Sequence, residues 1–127
     1  MKPRILVVED ERDVLELARD MLESGGYTVA TATSGEEALR LVEEERPDLV
    51  LLDVVLPGVS GLEVCRKLKR SPETCGVPVV VFTALGAEVD MMLEDGVKAD
   101  AYLGKPFTMK ALLEKVEAQL SRVQRLG

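Results

Sequence analysis

Five short aliphatic runs punctuate the chain: RILVV at 4–8, TVAT at 28–31, DLVLL at 48–52, PVVVF at 78–82 and AYL at 101–103. Three of them are apolar throughout instead of alternating, the pattern of parallel strands covered on both faces. The stretches between are helix-length and repeat their apolar residues every three or four positions. Val14, Ala18, Met21 and Leu22 share one face before Gly25-Gly26 supplies a stop. Ser34-Gly35-Glu36-Glu37 has the form of a capping box, followed inward by Ala38, Leu39 and Val42, and Pro47 marks the approach to the third strand. Ser60-Gly61-Leu62-Glu63 is a second box, with Leu62, Cys65 and Leu68 on one side and Ser71-Pro72 as the end. A weaker fourth helix carries Val89, Met92 and Leu93 and stops at Gly96. The last begins near Thr108 and keeps Leu113, Val116, Leu120 and Val123 in step. Strand and helix thus alternate five times, which predicts an α/β fold: an open parallel sheet with helices on both faces and right-handed crossovers. One domain over 1–127 is expected, its core at about 4–122, with a last helix that ends the protein or leads into a linker.

Composition narrows the class. Sixteen Lys and Arg against 23 Asp and Glu give a net charge of −7, which argues against gripping a nucleic-acid backbone or an anionic membrane. The apolar runs are far shorter than the roughly 20 residues of a transmembrane helix. The "ILVV" run after Met1-Lys2-Pro3-Arg4 is too short for a signal peptide, so the expected location is cytoplasmic. There is no histidine, which excludes a His-dependent triad or His metal site within the chain. Two cysteines, Cys65 and Cys75, make neither a zinc site nor a disulfide framework.

In open α/β sheets, ligands bind beyond the carboxyl ends of the strands. After the first strand come Glu9 and Asp10, after the third Asp53, after the fourth Thr83, and after the fifth Lys105. Strand two offers only the hydroxyls of Thr31 and Thr33. Three carboxylates brought together repel one another and call for a cation. Hard oxygen donors without histidine favour Mg²⁺ or Mn²⁺. With a hydroxyl and an ammonium beside it, such a site suits a phosphoryl group, and Asp53 is the candidate nucleophile. Plainer roles exist for each residue. Asp53 could cap a strand end, Glu9-Asp10 could cap the first helix, Thr83 could be an ordinary strand residue and Lys105 a surface lysine at a turn.

The segments ILVVEDE, LVLLDVVLPGVSGLEV, VVVFTA and AYLGKPF are similar to the four signature segments of the bacterial response-regulator receiver domain, a chemotaxis-Y-like family. Their spacing matches: Asp53 lies 43 residues after Asp10, Thr83 lies 30 after Asp53, and Lys105 lies 22 after Thr83. The resemblance implies a flavodoxin-like, doubly wound sheet of order 2-1-3-4-5 with five helices. It implies that Asp53 is phosphorylated by a histidine kinase. Glu9, Asp10, Asp53 and the backbone carbonyl of Val55 would hold Mg²⁺. Thr83 and Lys105 would meet the phosphoryl group, and Tyr102 would swing inward as the switch aromatic. Pro57, Gly58 and Gly61 match the loop after the phosphorylation site. The surface of the fourth helix, fifth strand and fifth helix would change and meet a target protein or output domain. The final helix also allows a homodimer.

Three positions depart from the family pattern. Glu9-Asp10 stands where two aspartates are common. Lys98 stands where glycine is expected, with Gly96 two residues earlier. Val55 and Leu85 are both apolar at positions that tune water attack on the phosphoryl group, which predicts a long-lived phosphorylated form. Two other classes stand beside this reading. One is an interaction module that is never phosphorylated, disfavoured by the intact Asp10, Asp53, Thr83 and Lys105. The other is a small Mg²⁺-dependent phosphohydrolase, disfavoured by valine at 55 and by the lack of a lid insertion.

Overall fold

The computed structural model describes residues 2–56, 58–83 and 98–126. Five strands, β1 (Arg4–Val8), β2 (Thr28–Ala32), β3 (Leu49–Leu52), β4 (Val79–Thr83) and β5 (Ala101–Gly104), form one parallel sheet of order β2-β1-β3-β4-β5. The helices among the described residues are α1 (Arg12–Ser24), α2 (Gly35–Glu44), α3 (Gly61–Arg70) and a C-terminal helix, Met109–Leu126. The expected fourth helix, with Val89, Met92, Leu93 and Gly96, lies outside the described residues, as does Leu85. No helix among the described residues is long and apolar enough to cross a membrane.

Strand alternation sorts the three continuous runs into two cores. Leu6, Val8, Val50, Leu52, Val79 and Val81 face the side covered by α2 and α3, through Ala38, Val42, Val64, Cys65 and Leu68. Ile5, Val7, Leu49, Leu51, Val80 and Phe82 face the other side, under α1 and the C-terminal helix, through Leu15, Ala18, Leu22, Leu112, Val116 and Leu120. Both faces are therefore dry, which is why β1, β3 and β4 need apolar residues at every position. The expected strands hold to within a residue at their ends.

The helix boundaries follow local chemistry. Gly26 takes φ +95° after α1, and Tyr27 N–H donates to Leu22 O at 3.1 Å, closing the helix in the left-handed manner glycine permits. Ser34 Oγ accepts from Glu37 N–H at 3.2 Å, while the Glu37 carboxylate accepts from Thr33 N–H at 2.8 Å, one residue before the cap. Ser60 Oγ accepts from Glu63 N–H at 3.3 Å, but the Glu63 carboxylate turns to Arg66 at 2.9 Å, so the second box is half formed.

At the amino edge of the sheet Asp100 gathers three partners. Val79 N–H donates to its Oδ2 at 2.7 Å, Lys69 Nζ lies 2.5 Å from the same oxygen, and Arg122 donates to Oδ1 at 2.9 Å. One carboxylate thus ties the start of β4 to α3 and to the C-terminal helix.

Cys65 sits fully buried beneath α3 and Cys75 is exposed, as the helix pattern predicts. Burial raises the Cys65 thiol from 9.0 to about 11. In the unfolded chain the thiol ionises first, so the folded state loses stability as pH rises from about 9 to about 11. The expected loss across that range is about 2 kcal/mol relative to Cys65→Ala, the slope nearing roughly 1.4 kcal/mol per pH unit only between the two values. Urea unfolding of both proteins across that range checks it, and parallel curves would count against it.

Candidate functional site

The same alternation decides which functional side chains meet. Val7, Leu51 and Leu103 point into the core beneath α1 and the C-terminal helix, and two residues beyond each come Glu9, Asp53 and Lys105. Backbone pairing carries on past the strand ends. Glu9 N–H donates to Ala32 O and Asp53 N–H to Val8 O, each at 3.0 Å, and Lys105 N–H donates to Thr83 O at 3.1 Å. Three charged groups from three strands are thereby delivered to one edge and one face of the sheet.

Lys105 reaches from β5 across β4 to β3 and β1. Its Nζ donates to Asp53 Oδ2 at 2.9 Å and to Glu9 Oε1. Under the ammonium lies the ring of Phe82, on the intervening β4, 4.7 Å from Nζ to centroid. Phe82 is braced edge-on by Phe107 at 5.9 Å. The ring face adds a cation–π attraction that favours this lysine position. Glu9 is wholly buried, Asp53 is 5% exposed and Asp10 is exposed.

Burial raises the pKa of Glu9, against the lowering effect of Lys105 and the Glu11 N–H. Burial alone would lower that of Lys105, but its hydrogen bonds to Asp53 and Glu9 outweigh this and hold it above the usual 10.5, so it stays charged. Glu9 therefore serves first as counter-ion to the lysine. Its other oxygen accepts from Glu11 N–H at 3.1 Å, so it also helps to start α1.

Thr83 belongs to the opposite face. It follows Val81, whose β5 neighbour is Tyr102, and Tyr102 packs against the core of that face. Thr83 is 3% exposed at the strand end. The hydroxyl and the aromatic thus occupy one side of adjacent strands. Val55 turns its side chain outward, 60% exposed, while its N–H donates to Asp53 Oδ1 at 3.0 Å. Gly61 packs directly on the end of β3, and Gly58 takes φ +69° in the loop between them. Pro57 lies outside the described residues.

Carboxylate oxygens of Glu9, Asp10 and Asp53 lie within 4.8 Å of one another. Such a donor set, all hard oxygen and partly open to water through Asp10, fits Mg²⁺ or Mn²⁺. Residues 5–117 match the response regulator receiver domain family. The chain belongs to that family. As a receiver domain it is 43% identical over 124 residues to the phosphate regulon transcriptional regulatory protein PhoB of Rhizobium meliloti (strain 1021), covering 98% of this chain and 55% of that protein. It thus spans about half the length of this relative. Among solved structures it resembles a CheY-like response regulator receiver domain protein from Methanospirillum hungatei JF-1, at 30% identity and TM-score 0.91 over all of both chains. It also resembles the signal receiver domain of a signal transduction histidine kinase from Syntrophus aciditrophicus, at 34% identity and TM-score 0.88, covering 97% of this chain and 93% of that one.

Reading strand ends picked out Glu9, Asp10, Asp53, Thr83 and Lys105 but missed their supports. Phe82 looked like plain core. Asp100 carried only the signal of an acidic residue just before a strand. Glu36 looked like a helix-start acid, yet its Oε1 accepts from Val59 N–H at 2.7 Å, 23 residues away.

Proposed function

We propose that this receiver domain of a two-component response regulator takes a phosphoryl group from a histidine kinase, or from a phosphotransfer protein, onto Asp53. The observation that supports this best is the Lys105 bridge from Asp53 to Glu9 beside exposed Asp10. It holds one nucleophilic oxygen edge in place while leaving the side toward Asp10 open. Asp10, Asp53, Glu9 and the Val55 carbonyl would hold the cation. When bound, Mg²⁺ would neutralise phosphoryl oxygens during transfer.

An Asp53 oxygen attacks phosphorus, the phosphorus–nitrogen bond to the donor imidazole breaks, and that nitrogen keeps the electron pair and takes a proton. Lys105 then pairs with a phosphoryl oxygen in place of its hold on the Asp53 carboxylate. Thr83 donates its hydroxyl to another, and Tyr102, on the same face, follows into the space it leaves. The surface that changes includes β5 and the C-terminal helix, and it meets a target protein or linked output domain. Both states pre-exist, and the phosphoryl group shifts their populations. The domain catalyses only its own phosphorylation and dephosphorylation. The setting is cytoplasmic, and a homodimer through the final helix fits the same surface.

Mass spectrometry after incubation with acetyl phosphate and Mg²⁺ tests the reading. One phosphoryl group is expected on wild type, and none on Asp53→Asn or after chelation of the metal. The adduct should outlast seconds, given the outward, apolar Val55. An adduct that persists in Asp53→Asn, or none on wild type, overturns it.

A further inference from the structure

We propose that Glu36 is a positioning residue for the cation site, clasping the loop that carries Val55. The loop leaves the sheet at Asp53 and returns at Gly61, whose N–H donates to Val54 O at 3.1 Å. Both ends are therefore fixed just past the end of β3. Between these ends Val55 stands exposed, while Leu56 and Val59 pack against the core.

Glu36 reaches this loop from the first turn of α2. Its Oε1 accepts from Val59 N–H at 2.7 Å, the short distance of a charge-assisted bond. The neighbouring Gly58 makes room for it. A Cβ at Gly58 would lie 2.8 Å from both Glu36 carboxylate oxygens, and φ +69° already disfavours any other residue there. The helix itself backs the clasp, because a Cβ at Gly35 would lie 2.3 Å from Val59 O. Two glycines on opposite sides of one contact thus let α2 and the loop meet backbone to backbone, with the carboxylate as the bond between them. At the other end Val55 N–H is held by Asp53 Oδ1. The segment that presents the Val55 carbonyl is accordingly held by Asp53 and Glu36 beside the core packing of Leu56 and Val59, and losing the Glu36 bond loosens it.

Glu36 also carries a negative charge, and the test separates the bond from the charge. Wild type, Glu36→Ala and Glu36→Gln are titrated with Mg²⁺ alone, following the backbone amide resonances of Asp53, Val55 and Val59 by NMR. Glu36 is solvent-exposed, so both variants should keep the fold, which thermal melts verify. Glu36→Ala should bind Mg²⁺ roughly tenfold more weakly, the low end of what losing an outer support of a metal ligand does. Its Val59 amide should move upfield and exchange faster. Glu36→Gln retains a carbonyl acceptor and should stay within about twofold of wild type, with the Val59 amide little moved. Equal affinity in all three proteins, or a Gln variant as weak as the Ala variant, overturns the proposal, the latter by showing that charge alone acts. The proposal rests on the cation site of the reading above, and the two fail separately. A wild type that binds Mg²⁺ but accepts no phosphoryl group overturns the acceptor role only. One that binds no Mg²⁺ overturns the positioning role.

Discussion

Replacing Lys105 with methionine should lower the unfolding free energy by about 3 kcal/mol near neutral pH, the lower end for breaking a buried ion pair by removing one partner. The lower end applies because the lysine side chain retains 19% of its exposure. Glu9 is wholly buried, and Lys105 neutralises it together with Asp53. Methionine fills the space over Phe82 but leaves two carboxylates facing each other. The sign of the pH dependence follows. Glu9 already has a raised pKa, mainly from burial. Without the ammonium it rises further, so the folded variant binds a proton that the unfolded chain gives up near its ordinary 4.5. Stability attributable to this group is full below that value and falls as pH climbs through the raised one. The deficit of the variant should therefore be larger at neutral pH than in mild acid, and added Mg²⁺ should shrink it. Urea unfolding of both proteins at the two pH values, with and without Mg²⁺, measures this. A deficit under about 1 kcal/mol at all pH values would show that water serves these carboxylates as well as the lysine does.

Gly61→Ala should be at least as damaging, at about 4 kcal/mol, and should cripple the chemistry too. A Cβ there would stand 2.0 Å from Asp53 O and 2.5 Å from Val54 Cα. Both obstacles are backbone at the end of a central strand, so no side-chain rotation relieves the overlap, and overpacking against backbone exceeds the usual range of about 1–3 kcal/mol. The strand end or the start of α3 must shift, and Asp53 shifts with it. Gly76→Ala is the control, because a Cβ at Gly76 meets nothing within 4 Å and its φ lies outside the left-handed region. That variant should be neutral or slightly more stable, through the reduced freedom of its unfolded chain. Thermal or urea unfolding of both variants decides the matter. Near-wild-type stability for Gly61→Ala would mean that the strand end yields easily.

Much of this architecture can be read from the chain because parallel strands dry on both faces leave an unmistakable signature. Every strand was legible to within a residue. The small extensions at Ala32, Thr83 and Gly104 arise because ladder pairing continues beyond the apolar run. Helix faces were less sharply set. Val14 and Leu113, expected inward, are half-buried against the core, while their neighbours Leu15 and Leu112 are the more deeply buried. In each case two neighbouring apolar residues compete, and only the packing partner chooses between them. Leu113, for its part, lies against Gly25.

The site residues were legible because topology sends every strand's carboxyl end to the same edge. Their mutual contacts were not. Glutamate at position 9 and aspartate at position 53 both reach Lys105, and nothing in either local segment announces that contact. The Glu36–Val59 bond lies beyond any local pattern, since it joins a helix start to a loop 23 residues later. The same holds for the Phe82 ring, whose partner Lys105 comes just past the end of the next strand.

The Asp100 junction makes the amino edge of the sheet a shared anchor for both helical layers. At one edge β4 is clamped through a single carboxylate to helices from both layers. At the other, Lys105 N–H pairs with Thr83 O and the Lys105 ammonium reaches across to Asp53 and Glu9. A pull on the start of β4 or β5 is therefore shared at once with α3 through Lys69 and with the C-terminal helix through Arg122.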